Sequence, residues 1–167
     1  MIRIAITGPE SCGKTTLSEA LALHYSADLV PEYARTYLGK IDRAYKLEDL
    51  DVIAEKHLEY MSLSQNSIQI VDTDFVVLSI WSKFKFDFVS PLISKLVQDT
   101  QFDLTILCAP DIPWKPDPLR ENPNDREVLF KLYVEQLDAL NRRYLIVENN
   151  HEERLKKSIK SIDSILI

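Results

Sequence analysis

Apolar residues in this chain fall into short, nearly unbroken runs, separated by longer stretches in which they recur at helical spacing. Ile2–Thr7 is apolar and β-branched and breaks at Gly8-Pro9. Asp28–Val30 is a short run stopped by Pro31; Ile68–Val71 ends at Asp72; Leu104–Cys108 and Tyr144–Val147 complete the set. These five runs read as strands buried on both faces. Between them, Thr15–Tyr25 carries Leu17, Ala20, Leu21 and Ala22 at helical spacing, and Leu47–Gln65 places Leu50, Ile53, Ala54, His57 and Met61 on one side. Helices are also expected over Phe75–Lys83, Leu92–Gln98, Asp125–Leu140 with Asn124 or Asp125 as N-cap, and Glu152–Ile162. Alternating strands and helices predict an α/β fold: three layers, with a five-stranded, mostly parallel sheet and helices on both faces.

One stretch fits neither pattern. Pro110, Pro113, Pro116, Pro118 and Pro123 exclude any regular element between the fourth strand and the next helix. A loop of this length inside a compact domain points to function, and a lid over about 110–125 is expected. No repeat, low-complexity tract or linker divides the chain, so residues 1–167 read as one domain.

Composition narrows the function classes. The formal net charge is -6, so the basic face that nucleic-acid binding requires is missing. Any anion site must then be built locally from backbone N–H groups, Lys and Arg. Cys12 and Cys108 are too few for a disulfide framework and read as reduced thiols. The N-terminus resembles no signal peptide, and no apolar stretch reaches membrane-spanning length, so a cytoplasmic protein without a membrane partner is expected. The sequence does not define an oligomeric state.

Gly8-Pro9-Glu10-Ser11-Cys12-Gly13-Lys14-Thr15 fits G-x-x-x-x-G-K-[ST], between an expected strand and an expected helix. Gly8 and Gly13 allow the backbone angles that turn successive N–H groups of Glu10, Ser11, Cys12 and their neighbours toward one point. The N-terminus of the following helix, through Thr16, adds its partial positive charge. Lys14 supplies a point charge for the β- and γ-phosphates, and Thr15 a hydroxyl for Mg²⁺. The expected ligand is therefore ATP with Mg²⁺. Cys12 either fills a variable position or is an oxidisable thiol of the loop.

Parallel sheets bind ligands at the carboxyl ends of their strands, which directs attention to Glu32, Asp72, Asp74, Asp111 and Glu148. Asp72 ends an apolar strand, as a Mg²⁺-holding carboxylate does; Asp72 and Asp74 can equally cap the helix near Phe75. Glu32 either takes a hydroxyl proton or sugar contact, or stabilises a first helical turn. Arg35 binds an acceptor anion or pairs with Glu32. Arg120 and Arg126, at the end of the proline-rich loop, suit the charge of a transferring phosphoryl group, or lie exposed on the surface. Trp114 covers a ring or packs the loop down. His24, His57 and His151 share no metal spacing and read as surface or half-buried helix residues.

Four marks now stand in order: Ile6-Thr7-Gly8 to Thr16, Glu32-Tyr33-x-Arg35, Asp72-Thr73-Asp74-Phe75, and Phe102-Asp103-Leu104-Thr105-Ile106-Leu107 followed by Trp114 and Leu119-Arg120. Together they resemble the ribosylnicotinamide kinase domain of the NadR family, over nearly the whole chain. The resemblance implies transfer of the γ-phosphate of ATP to the 5′-hydroxyl of nicotinamide riboside, a small-molecule nucleoside. It implies Lys14 and Thr15 at ATP and Mg²⁺, and Asp72 and Asp74 beside metal and acceptor. It further implies Glu32 and Tyr33 in the acceptor pocket, Tyr60 stacked on the ring, and Arg120 and Arg126 in the lid. Longer family members carry an adenylyltransferase domain with H-x-G-H; that motif is absent here, so the mononucleotide and not NAD is the expected product. Pro31 stands where family members often have Trp, which removes a stacking face worth about 1 kcal/mol.

Other readings fare less well. A GTPase needs a guanine-reading Asn-Lys-x-Asp and a switch Gly after Asp72. A nucleotide kinase needs a cationic clamp for the acceptor phosphate, for which Arg35 is the one obvious candidate. A regulatory ATP-binding module has no need of Lys14, Asp72, Arg120 and Arg126 together.

Overall fold

The computed structural model describes residues 1–166; Ile167, the last residue of the expected domain, lies outside them. Five strands form one sheet: β1 (Ile2–Thr7), β2 (Asp28–Val30), β3 (Ile68–Asp72), β4 (Leu104–Cys108) and β5 (Tyr144–Val147), in the order β2-β3-β1-β4-β5. All four pairings are parallel, so the sheet is wholly rather than mostly parallel. Among the described residues seven helices connect and flank it: α1 (Lys14–Tyr25), α2 (Tyr33–Leu38), α3 (Leu47–Ser62), α4 (Phe75–Phe86), α5 (Pro91–Asp99), α6 (Arg126–Ala139) and α7 (His151–Leu166).

The strands are two-faced. Ile4, Ile6, Ile70, Leu104, Ile106 and Cys108 pack under α1 and α7, while Val71 and Leu107 join the core beneath the other helices. This period of two follows from side chains alternating across the pleat. Every residue of β4 is buried, which is why its sequence is apolar apart from Thr105.

One helix escaped the periodicity. Short α2 buries only Ala34 and Leu38, a single i, i+4 pair, too little for a pattern to register. Its N-cap is Glu32, whose side chain makes no capping bond. One histidine was also misplaced: His57 is 3% exposed, edge-on to Phe75 at 5.7 Å between centroids, and not a surface or half-buried residue. Burial brings its imidazole down to about 4, so it is neutral at physiological pH. His24 and His151 are exposed. No helix among the described residues is long and apolar enough to cross a membrane.

Candidate functional site

β1 is the central strand, and its carboxyl end opens directly into the loop Gly8–Gly13. Gly8 has φ +136 and Gly13 φ +85, angles that side chains rarely tolerate. α1 starts without a side-chain cap on Gly13. Among the described residues, the backbone N–H groups of Ser11 through Thr16 find no acceptor in the protein. Unpaired donors converging at a helix N-terminus form a cradle for phosphate oxygens. Lys14 bends back over the loop, its Nζ donating to the carbonyls of Gly8 at 2.9 Å and Pro9 at 2.8 Å. Burial opposes its charge, but Cys12, Glu32 and Asp72 together hold its pKa above the ordinary value.

The carboxylates come from β3 and α2. Register pairs Ile6 with Asp72, so Asp72 ends its strand beside the start of the loop. It is 2% exposed, and its Oδ1 has no hydrogen-bond partner. Burial raises its pKa to about 6, against the pull of the Thr15 hydroxyl and Lys14. A buried, unpartnered carboxylate oxygen beside a threonine hydroxyl suits a hard divalent cation that takes oxygen ligands. Asp72→Asn is therefore expected to raise the stability of the ligand-free protein by about 1–2 kcal/mol while weakening Mg²⁺-dependent binding; paired thermal melts with and without Mg-ADP check both. The sign follows from linkage: a carboxyl with a raised pKa gains protons on folding. Its cost is therefore relieved as pH falls through about 6 toward the unfolded value, and is felt in full above pH 6.

Two residues later the chain points elsewhere. Thr73, a β-branched residue, sits at φ 74 and donates its N–H to the Ile6 carbonyl at 3.0 Å. That strained turn sends Asp74 away from the cavity. The Asp74 carboxylate accepts the Thr7 hydroxyl at 2.9 Å and the Val77 N–H at 3.3 Å, capping α4. Burial raises its pKa, with these two donors opposing. Of the two readings for Asp74, the geometry is that of a cap.

Glu32, Arg35, Glu10, Ser11, Cys12 and Lys14 line one cavity with Gly13, Thr15 and Thr16. Trp81, Leu38, Leu119 and Arg120 close it. Glu32, one of the expected catalytic carboxylates, and the phosphate loop therefore share one space, while Asp72, Asp74 and Arg126 are not among the residues that line it. Arg35 is already engaged: it binds Asp117 of the lid at 2.8 Å and lies 3.9 Å from Glu32. Tyr33, Tyr60 and Trp114 do not reach that space. Tyr33 and Tyr60 stand edge to face, 5.4 Å apart, and Tyr60 borders a separate hollow with Pro31 and Leu63. Trp114 lies between Arg120 and Arg126, at 5.9 Å and 5.7 Å from their guanidinium carbons.

The proline-rich segment does lie over the loop. Ser11 Oγ accepts from Lys115 N at 2.9 Å, and Arg126 donates to the Ser11 carbonyl at 3.3 Å and the Ile112 carbonyl at 3.0 Å. Glu10 accepts the N–H groups of Glu121 and Asn122, each at 3.0 Å. Farther out, Glu121 accepts from Lys85 at 2.8 Å and from the Tyr45 hydroxyl at 3.0 Å. Glu10→Ala removes the charged acceptor for two lid donors. We expect KM for the nucleotide to rise about five- to tenfold, together with faster proteolytic nicking at 110–125.

Sequence reasoning passed over Trp81 and Arg154. Trp81 lies in a helix so apolar that one more aromatic residue carried no signal. Arg154 had a signal: it occupies the buried stripe Arg154, Ser158, Ile162 of α7, where a cation needs a reason. Beneath the loop, Cys12 and Cys108 are free, buried neighbours. Burial pushes the Cys12 thiol up, yet the hydrogen bond with Cys108 and the positive charges of Lys14 and Arg154 bring it below its ordinary value.

Comparison with known proteins agrees with this geometry. Residues 3–154 match the family described as AAA domain. The trifunctional NAD biosynthesis/regulator protein NadR of Escherichia coli (strain K12) is 31% identical over 98% of this chain, which spans 42% of that relative's length. The crystal structure of NadR protein in complex with NR superposes with a TM-score of 0.82 at 25% identity, covering 98% of this chain and 51% of that one. NadR protein in complex with NAD and AMP-PNP gives 0.77 at 25% identity, covering 98% and 49%. With a phosphate loop at the end of the central strand, Asp72 beside it and a lid laid across it, the chain belongs to the AAA-domain family and is a NadR-type phosphate-loop domain.

Proposed function

We propose that this domain is an ATP- and Mg²⁺-dependent kinase that phosphorylates the 5′-hydroxyl of nicotinamide riboside to give nicotinamide mononucleotide. One observation carries the reading: Glu32 and the phosphate loop line the same cavity, with Arg120 of the lid at its edge. Simple hydrolysis needs no pocket for a second substrate; transfer does. The NadR relatives, one of them solved in complex with NR and another with NAD and AMP-PNP, supply the acceptor and the donor.

In this reading Lys14 and the unpaired N–H groups of Ser11–Thr16 hold the β- and γ-phosphates. The Thr15 hydroxyl and Asp72 carboxylate hold Mg²⁺, which when bound neutralises charge between the two phosphates. Glu32 accepts the hydrogen bond of the attacking hydroxyl and positions it in line. Arg120 and Arg126 sit over Ser11, where the equatorial oxygens of the transferring group develop negative charge. Tyr33 borders the acceptor side of α2, while Asp74 holds the β3–α4 corner that aims Asp72.

A nucleoside is favoured over a nucleotide because Arg35, the cation on the acceptor side, already faces Asp117 and Glu32. An acceptor phosphate placed there would meet two carboxylates with one guanidinium. A panel of nucleosides and nucleotides, assayed for ADP release and product mass, tests the proposal. Nicotinamide riboside is expected to lead by orders of magnitude in kcat/KM; a different leading acceptor overturns the substrate, and ATP binding without any transfer overturns the kinase.

A further inference from the structure

Arg154 is the only buried Lys or Arg among the described residues, at 2% exposed. A buried guanidinium is costly unless its N–H groups are paired, and here four of the five are. Nε donates to the Asn149 carbonyl at 2.9 Å, one terminal nitrogen to the Ala109 carbonyl at 3.0 Å and to the Asp111 carboxylate, and the other to the Cys12 carbonyl at 2.5 Å. The first three tie the start of α7 to the ends of β4 and β5. The fourth is different, because Cys12 belongs to the phosphate loop.

The Cys12 carbonyl and the Gly13 N–H lie in one planar trans peptide and point in opposite directions. Drawing the carbonyl down onto Arg154 turns the Gly13 N–H up, toward the cavity lined by Lys14 and Thr15. Gly13 sits at φ +85, with no Cβ to resist reorientation of the peptide before it. A flip there would exchange a donor for a carbonyl oxygen facing the phosphates. Arg154 also places a buried guanidinium directly beneath the loop, its charge balanced in part by Asp111.

We propose that Arg154 is a positioning residue for phosphate binding, holding the Cys12–Gly13 peptide with its N–H toward the nucleotide. The proposal rests on the phosphate-loop reading and is independent of which acceptor is used. Gly8, Gly13 and Gly39 are the only glycines in the sequence, so protein labelled with ¹⁵N-glycine gives three backbone signals, with Gly39 as a control outside the loop. In the native protein Mg-ADP is expected to move the Gly13 signal and leave Gly39 in place; no Mg-ADP binding at all would sink the phosphate-loop reading itself. In Arg154→Met the Gly13 response is expected to vanish and Kd for Mg-ADP to rise at least tenfold. Arg154→Lys, which keeps the charge and one donor, should restore part of both. A folded Arg154→Met with an unchanged Gly13 response and Kd within twofold of native overturns the proposal, and leaves Arg154 as a tie for α7 alone. Should that variant not fold, Asp111→Asn decides the matter, since it loosens the guanidinium from a half-exposed partner. A roughly threefold weaker Kd with a reduced Gly13 shift supports the proposal, and native values for both overturn it.

Discussion

Lys14→Ala is expected to lower kcat for phosphoryl transfer by about 10²- to 10³-fold, the range found when one preorganised donor is removed from a developing negative charge. The fold should survive. Lys14 is half-buried, and its two hydrogen bonds go to carbonyls of its own loop, Gly8 and Pro9, so its loss breaks no contact between elements of the fold. Its neighbours also predict how the loss divides. Glu32 and Asp72 both act on Lys14 electrostatically, so removing it leaves two carboxylates facing the incoming phosphates. Nucleotide affinity should therefore fall along with turnover. Steady-state kinetics, with circular dichroism as a folding control, check this. Native-like turnover in a folded variant would remove Lys14 from the chemistry.

Gly8→Ala should do comparable damage by a different route. At φ +136 the backbone of Gly8 lies where L-residues are strained. A Cβ there would also stand 2.7 Å from the Cys108 carbonyl oxygen and 3.1 Å from Cys12 Sγ. The first of these atoms is backbone at the carboxyl end of β4, which is paired on both sides, so it cannot move aside without disturbing the sheet. We expect a loss of about 3–4 kcal/mol of stability and, in any protein that remains folded, a cradle whose N–H groups no longer converge. Chemical denaturation reads the first, and Mg-ADP titration the second. By contrast, Gly13 has 3.4 Å of room to its nearest neighbour, Ile112, so its substitution meets the strained φ without the clash.

Much of the fold was legible because buried parallel strands and long amphipathic helices leave strong patterns. The runs Ile2–Thr7, Asp28–Val30, Leu104–Cys108 and Tyr144–Val147 coincide with β1, β2, β4 and β5. Helix ends shifted by a few residues, as with α4, which runs on to Phe86 and closes at Asp87 in the left-handed region. Nothing between Lys83 and Asp87 breaks a helix by composition alone, so that end was set by the turn. α2 was missed because six residues contain too little periodicity, and His57 was misjudged because an imidazole on an apolar face reads the same whether the face is covered partly or wholly.

The site divides along the same line. A phosphate cradle is local: Gly8, Gly13, Lys14 and Thr15 lie within one strand–loop–helix unit, so their spacing alone implies their convergence. Pairing is not local. Asp72 ends β3 and Asp74 stands two residues on, and the positive-φ Thr73 between them separates the one beside the cradle from the one that caps α4 and accepts from Thr7. Similarly, the proline-rich segment announced a lid, but not that Glu10 and Ser11, at variable positions of the motif, would be its anchors. Arg154 lies 142 residues from Cys12 in the chain, and no spacing rule links them. What the sequence determined by itself was the phosphate loop, the parallel α/β order and the chemistry of the residues at the strand ends, because each depends on neighbours along the chain. Which carboxylate meets the cradle, what ties down the lid and what holds the loop from below were decided only by the tertiary structure. Those contacts exist once the sheet brings distant strand ends together and buries groups such as the Arg154 guanidinium among the acceptors they need.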